Sequence, residues 1–143
     1  MTARALAGVA LGVALGVALA SGGCVHYPTV MEAGGIMVRP DKGRAVRQGA
    51  GAVVYFDLKS SGKYGDVITA VHTPVARQAQ LVDGRGSPLS RVEVPGAAVM
   101  RFTDKGPHVV LSELTRTLVL GDTIIVTLVM EKMGGLGVIA TVE

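Results

Sequence analysis

Few residues in this chain of 143 have side chains suited to chemistry: three histidines, six methionines and one cysteine. His108 is the most suggestive. It stands in KGPHVVL, after the turn-forming Gly106-Pro107 and before an apolar run. Its imidazole is therefore either a metal ligand held at the end of a sheet or simply the first residue of a strand. His72, in AVHTPVA, precedes a Thr-Pro turn and reads as a loop residue. No paired carboxylates and no CxxC, HExxH or GxSxG arrangement occurs, and no GxGxxG opens a helix to cradle phosphate. No enzymatic activity is expected.

Cys24 belongs to a different chemistry. Arg4 is followed by the uncharged run Ala5–Ala20, built from Ala, Leu, Val and Gly, and then by Ser21-Gly22-Gly23-Cys24. One basic residue, a short apolar core and small residues at a cleavage point make a secretory signal, so the product leaves the cytoplasm. Ala18-Leu19-Ala20 permits cleavage before Ser21, whereas the two glycines before Cys24 resemble a bacterial lipobox. In the second case residues 1–23 are a lipoprotein-type signal peptide and Cys24 carries a lipid that ties the chain to a membrane of the cell envelope. Ser21 departs from the aliphatic residue usual in a lipobox. A lone thiol in an oxidising compartment otherwise has no partner within the chain.

Of the 14 Lys and Arg, Arg4 alone precedes Cys24, and the rest are interspersed with the 11 Asp and Glu. No basic stripe forms, which argues against a nucleic-acid surface. The chain after Cys24 can bury one modest core.

The elements that must position these residues read as strands. Residues 24–50 look like a polar linker with one possible short strand at Ile36-Met37-Val38. From residue 51 onward the period is two: in AVVYFDLKS, Val54, Phe56 and Leu58 point one way and Tyr55, Asp57 and Lys59 the other. Further strands are predicted at Val67–Val71, Val75–Val82, Arg91–Val94, Ala97–Phe102, His108–Leu111, Thr123–Met130 and Leu136–Val142. In TIIVTLVM, Ile124, Val126, Leu128 and Met130 are expected to face inward. Gly, Pro and Asp punctuate the strands at turn spacing, and no helical repeat appears. The expected fold is an all-β sandwich or barrel over residues 51–143.

GAVVYFDLKSSG, DVITAVHTPVA, VEVPGAAVMRFTDKGPHVVLSEL and LVLGDTIIVTLVMEK, in that order, resemble the PCu(A)C family of periplasmic copper chaperones from Gly51 to the C-terminus. Tyr55, Thr73–Ala76, Val94–Gly96, His108 and Gly121-Asp122 fall at that family's recurring positions. The resemblance implies a cupredoxin-like β-sandwich that binds Cu(I) at one end. It also implies delivery of the copper to a partner such as a haem-copper oxidase subunit or its assembly factor. Soft thioethers paired with imidazoles suit Cu(I).

The ligand pattern departs from the family. Val110 stands where the methionine two residues after His108 would be, and Val82 stands at the place of the other histidine. The segment from Gly84 to Arg91 lacks the other methionine. Met100, on the preceding strand, is the candidate substitute, although its alternation with Phe102 puts it on the core face. Met130 shares that inward parity. Met31, Met37, Met133 and His26 are further possible donors, each more simply read as a surface or turn residue. Two functions remain open. One is a lipid-anchored copper chaperone using His108 with substitute ligands. The other is a copper-free envelope lipoprotein whose sandwich binds another protein, with Val82 and Val110 forming an exposed apolar mouth.

Overall fold

A computed structural model describes residues 34–143; the expected signal, Cys24, His26 and Met31 lie outside the described residues. Nine strands follow one another: β1 Val38–Gln48, β2 Gly51–Ser60, β3 Asp66–His72, β4 Ala76–Val82, β5 Val92–Val94, β6 Ala98–Phe102, β7 His108–Leu114, β8 Thr123–Met130 and β9 Gly134–Val142. Among the described residues there is no helix. All nine strands join one sheet in the order β4-β7-β2-β1-β9-β8-β3-β5, with β6 also on β2. The sheet rolls into a nearly closed, barrel-like sandwich, and β3 passes into β4 through Thr73–Val75.

The predicted alternation holds where it was clearest. Val54, Phe56 and Leu58 of β2 and Ile124, Val126, Leu128 and Met130 of β8 are all buried. The chain's two phenylalanines, Phe56 and Phe102, face each other across β2 and β6 with ring centroids 4.3 Å apart. In a core without tryptophan this stacked pair supplies the largest apolar bodies.

The linker expected between residues 39 and 50 is instead most of β1. This strand pairs with β2 along its length and with β9 in parallel near its end, which moves the start of the domain N-terminal to the boundary expected at Gly51. Its inward residues Val38 and Ala45 are an odd number of positions apart, so no period of two connects them. A bulge between Asp41 and Arg44 inserts the extra residue that puts both on the core face, opposite Ser60 and Val54. Lys42 there takes φ 52°. Gly43 lies so close to the Ile139 carbonyl that a Cβ would collide with it. Asp41-Lys42-Gly43 has the composition of a turn and acts as a bulge.

Asp66 opens β3 with its side chain buried at 4% exposure. Its carboxylate accepts the backbone N–H groups of Val67 (2.8 Å), Lys132 (3.0 Å) and Met133 (2.9 Å), tying the β8–β9 turn to the start of β3. A buried carboxylate is tolerable when backbone amides solvate it in this way.

Candidate functional site

The β6–β7 hairpin carries His108. Its turn closes through the Gly106 N–H donating to the Thr103 carbonyl at 3.2 Å, and β7 begins at His108 itself. The imidazole folds back over this turn. Nδ1 lies 2.9 Å from the Gly106 carbonyl and 3.1 Å from the Thr103 carbonyl. Carbonyl oxygens only accept, so Nδ1 carries the proton and Nε2 is the lone-pair nitrogen of the neutral ring. A backbone carbonyl that fixes the tautomer in this way is the usual support of a metal-binding histidine.

Cross-strand register builds the surroundings. His108 pairs with Val82 of β4, and its ring sits 5.7 Å from that of Tyr55 on β2, tilted by 53°. Tyr55 pairs in turn with Arg44 of β1, whose guanidinium lies 4.9 Å above the phenol ring and 3.6 Å from the Glu143 carboxylate. A continuous His108–Tyr55–Arg44–Glu143 row therefore crosses the outer face of β7, β2 and β1. Arg44 belongs to the segment read from sequence as a linker, so nothing local pointed to its place in the row.

Loop packing frames the same end. A Cβ at Gly84 would collide with the Lys105 carbonyl, so the loop after β4 lies directly on the His108 turn. That loop is held by Asp83, whose carboxylate accepts the N–H groups of Ser87 and Arg85, each at 2.9 Å. These bonds, that of Ser87 first, hold the Asp83 carboxyl below its ordinary value of 3.8.

Met100 and His108 are not brought together. Met100 pairs with buried Leu58 and packs against the core, whereas His108 shares the outer face with Tyr55. Residues opposite one another across strands point to the same side, so the two candidate donors stand on opposite faces of the sheet. Met130 is buried and Met133 packs against the core. Met37 precedes β1 beside Ser61, near the end of β2 farther from Gly51. His72 closes β3 beyond the Ala76 end of β4, whereas His108 pairs at its Val82 end, about 20 Å along the strand. No group of three or more His, Cys, Asp or Glu side chains is placed to hold a metal among the described residues.

The expected apolar mouth is formed only in part. Val82 is buried at 4% exposure because the following loop folds back on it, with Pro88 bridging to Val82 and the Leu89 N–H donating to the Leu81 carbonyl. Val110 is half-buried on the outer face beside Val53 and Gln80.

Comparison with solved structures places the fold. The copper-bound PCuAC domain from PmoF2 superposes with a TM-score of 0.66 at 20% identity, over 74% of this chain and 92% of that one. The apo PCuAC domain from PmoF1 gives 0.64 at 25% identity, over 78% and 96%. The Cu(I) form of DR1885 from Deinococcus radiodurans gives 0.58 at 22% identity, over 88% and 85%. No curated protein matches the chain. The cupredoxin-like sandwich implied by the sequence resemblance is thus the fold observed. The LpqE-like family profile matches residues 25–142, and the chain belongs to that family, built on a PCuAC-type domain.

Proposed function

We propose that this protein is an exported copper-chaperone-like lipoprotein that holds Cu(I) on His108 and passes it to a copper-accepting partner at the envelope. The observation that carries the reading is the His108 ring itself. Its Nδ1–H is engaged by the Gly106 and Thr103 carbonyls, which leaves Nε2 as a preset, half-exposed donor at the strand start. The fold shared with copper-bound PCuAC domains supports it.

Cu(I) is the cargo, and even a low-coordinate soft cation needs more than one donor. The second donor is assigned to a partner protein or to the chain preceding Gly34, where His26 and Met31 lie. A site shared in this way suits transfer, because the incoming protein completes the coordination while His108 lets go. The acceptor is an oxidase copper subunit or its assembly factor. Cys24 supplies the lipid that keeps the domain at the membrane.

The test is a Cu(I) competition titration under reducing, anaerobic conditions on the chain from Val25 to Glu143, beside His108→Ala. One-to-one binding that weakens at least about tenfold in the variant supports the reading, a loss of about 1.4 kcal/mol. Weak binding unchanged by the substitution removes copper and leaves the second reading, a protein-binding module. The valines at positions 82 and 110, where PCuAC domains carry ligands, favour that alternative.

A further inference from the structure

The wall of the barrel formed by β8 and β9 carries no charged residue in either strand. Its outward positions are Thr123, Ile125, Thr127 and Val129 on β8, and Gly135, Gly137, Ile139 and Thr141 on β9. Ile125 and Ile139 are direct cross-strand partners, 52% and 65% exposed, and so form a paired apolar ridge in open solvent. Val119 and Leu120, in the loop leading to β8, are as exposed. Gly135 and Gly137 add no side chain beside the ridge.

The charge around this wall is basic. Lys42 is exposed in the bulge next to Gly43, the residue that packs on the Ile139 backbone, and Arg47 donates to the Leu118 carbonyl at 3.4 Å, next to Val119. Neither cation forms an ion pair among the described residues, whereas the neighbouring carboxylates Glu143 and Asp122 are neutralised by Arg44 and Arg116 at 3.6 and 3.2 Å. Apolar side chains flanked by unpaired cations are suited to the interface of an anionic bilayer. The chain between Cys24 and Gly34 reaches at most about 35 Å when extended, so a lipid on Cys24 keeps the domain within its own diameter of a bilayer.

We propose that the outer face of β8–β9, with Ile125, Ile139 and Leu120 at its centre, docks on an anionic lipid surface and leaves the His108 wall facing away from the membrane. The inference rests on the tether at Cys24 proposed above, and the experiment supplies that tether chemically. The chain from Cys24 to Glu143 has one cysteine and no tryptophan, so Cys24 can be coupled to a maleimide phospholipid and a single tryptophan introduced as a probe. Ile139→Trp, Leu120→Trp and, on the His108 wall, Val110→Trp are each coupled to phosphatidylcholine–phosphatidylglycerol vesicles containing brominated acyl chains.

Emission roughly halved for Ile139→Trp and Leu120→Trp but unchanged for Val110→Trp is expected, as is loss of that quenching when Ile125→Glu is added or phosphatidylglycerol is omitted. Equal quenching at all three positions, or none, overturns the proposal. So does a blue shift at Ile139→Trp that appears without vesicles and grows with protein concentration, which assigns the face to a second copy of the chain. Because coupling replaces natural lipidation, these outcomes judge the face alone. The tether reading is judged separately, by mass spectrometry of the N-terminus of protein recovered from membranes.

Discussion

The ring of His108 rests 5.7 Å from the ring of Tyr55, a contact between β7 and β2 that no local sequence feature specifies. With Nδ1 held by two carbonyls and one ring side packed by Tyr55, the direction of Nε2 is set before any ion arrives. Aromatic pairs of this kind contribute about 0.5–1.5 kcal/mol. Tyr55→Ala is therefore expected to weaken Cu(I) binding by roughly three- to tenfold, with Tyr55→Phe close to the parent. Competition titrations of the two variants check this, and equal losses in both would shift the role to the Tyr55 hydroxyl.

Val110 lies two residues after His108 on the same strand and points to the same outer face. Val110→Met places a thioether beside the imidazole, and Cu(I) affinity is expected to rise by about tenfold or more, with Cu(II) little affected. Val109→Met, directed into the core, serves as the control for a general effect of methionine. If the two variants bind Cu(I) alike, His108 is not the anchor.

Asp66 accepts amide protons from both β3 and the β8–β9 turn. Asp66→Ala leaves those buried donors unmatched and is expected to cost about 3 kcal/mol, read from the urea midpoint at constant slope. A loss under about 1 kcal/mol would mean that water or neighbouring carbonyls re-solvate the turn.

Gly43 has no room for a side chain against the Ile139 carbonyl. Gly43→Ala is expected to lower stability by about 2–3 kcal/mol by prising β1 from β9, and to accelerate hydrogen exchange at the β1–β9 pairing around Arg44 and Thr141.

The Asp83 carboxyl titrates below 3.8 because the Ser87 and Arg85 amides favour its charged form. The sign follows from linkage: a depressed folded value gives stabilisation that is complete above the ordinary value and is lost as pH falls through the lower one. The loop after β4 should therefore stay ordered at mildly acidic pH and loosen only in strong acid. Carboxyl NMR shifts follow the titration. Asp83→Asn is expected to remove the acid step at this loop while leaving the His108 turn intact.

Much of this architecture was legible in the residues. Alternating side chains and Gly, Pro and Asp turns placed β2 and the seven later strands to within a few residues, because the period of two and the turn preferences are local properties of the chain. β1 was hidden because its bulge switches the inward parity between Val38 and Ala45, and because Arg39, Asp41 and Arg44 on its outer face make it read as polar. The position of His108 at a strand start was likewise visible, in the turn that precedes it.

The amino-acid sequence by itself determined that the domain is a sheet of short strands and that one imidazole stands at a strand's first position. Only the tertiary structure decided that Met100 and His108 occupy opposite faces, that Val82 is covered while Val110 is half-open, and that Tyr55 and Arg44 line up beside the imidazole. These outcomes depend on which strands become neighbours and in what register. Register is set by contacts between residues far apart in the chain, in which a single bulge reverses every side chain beyond it.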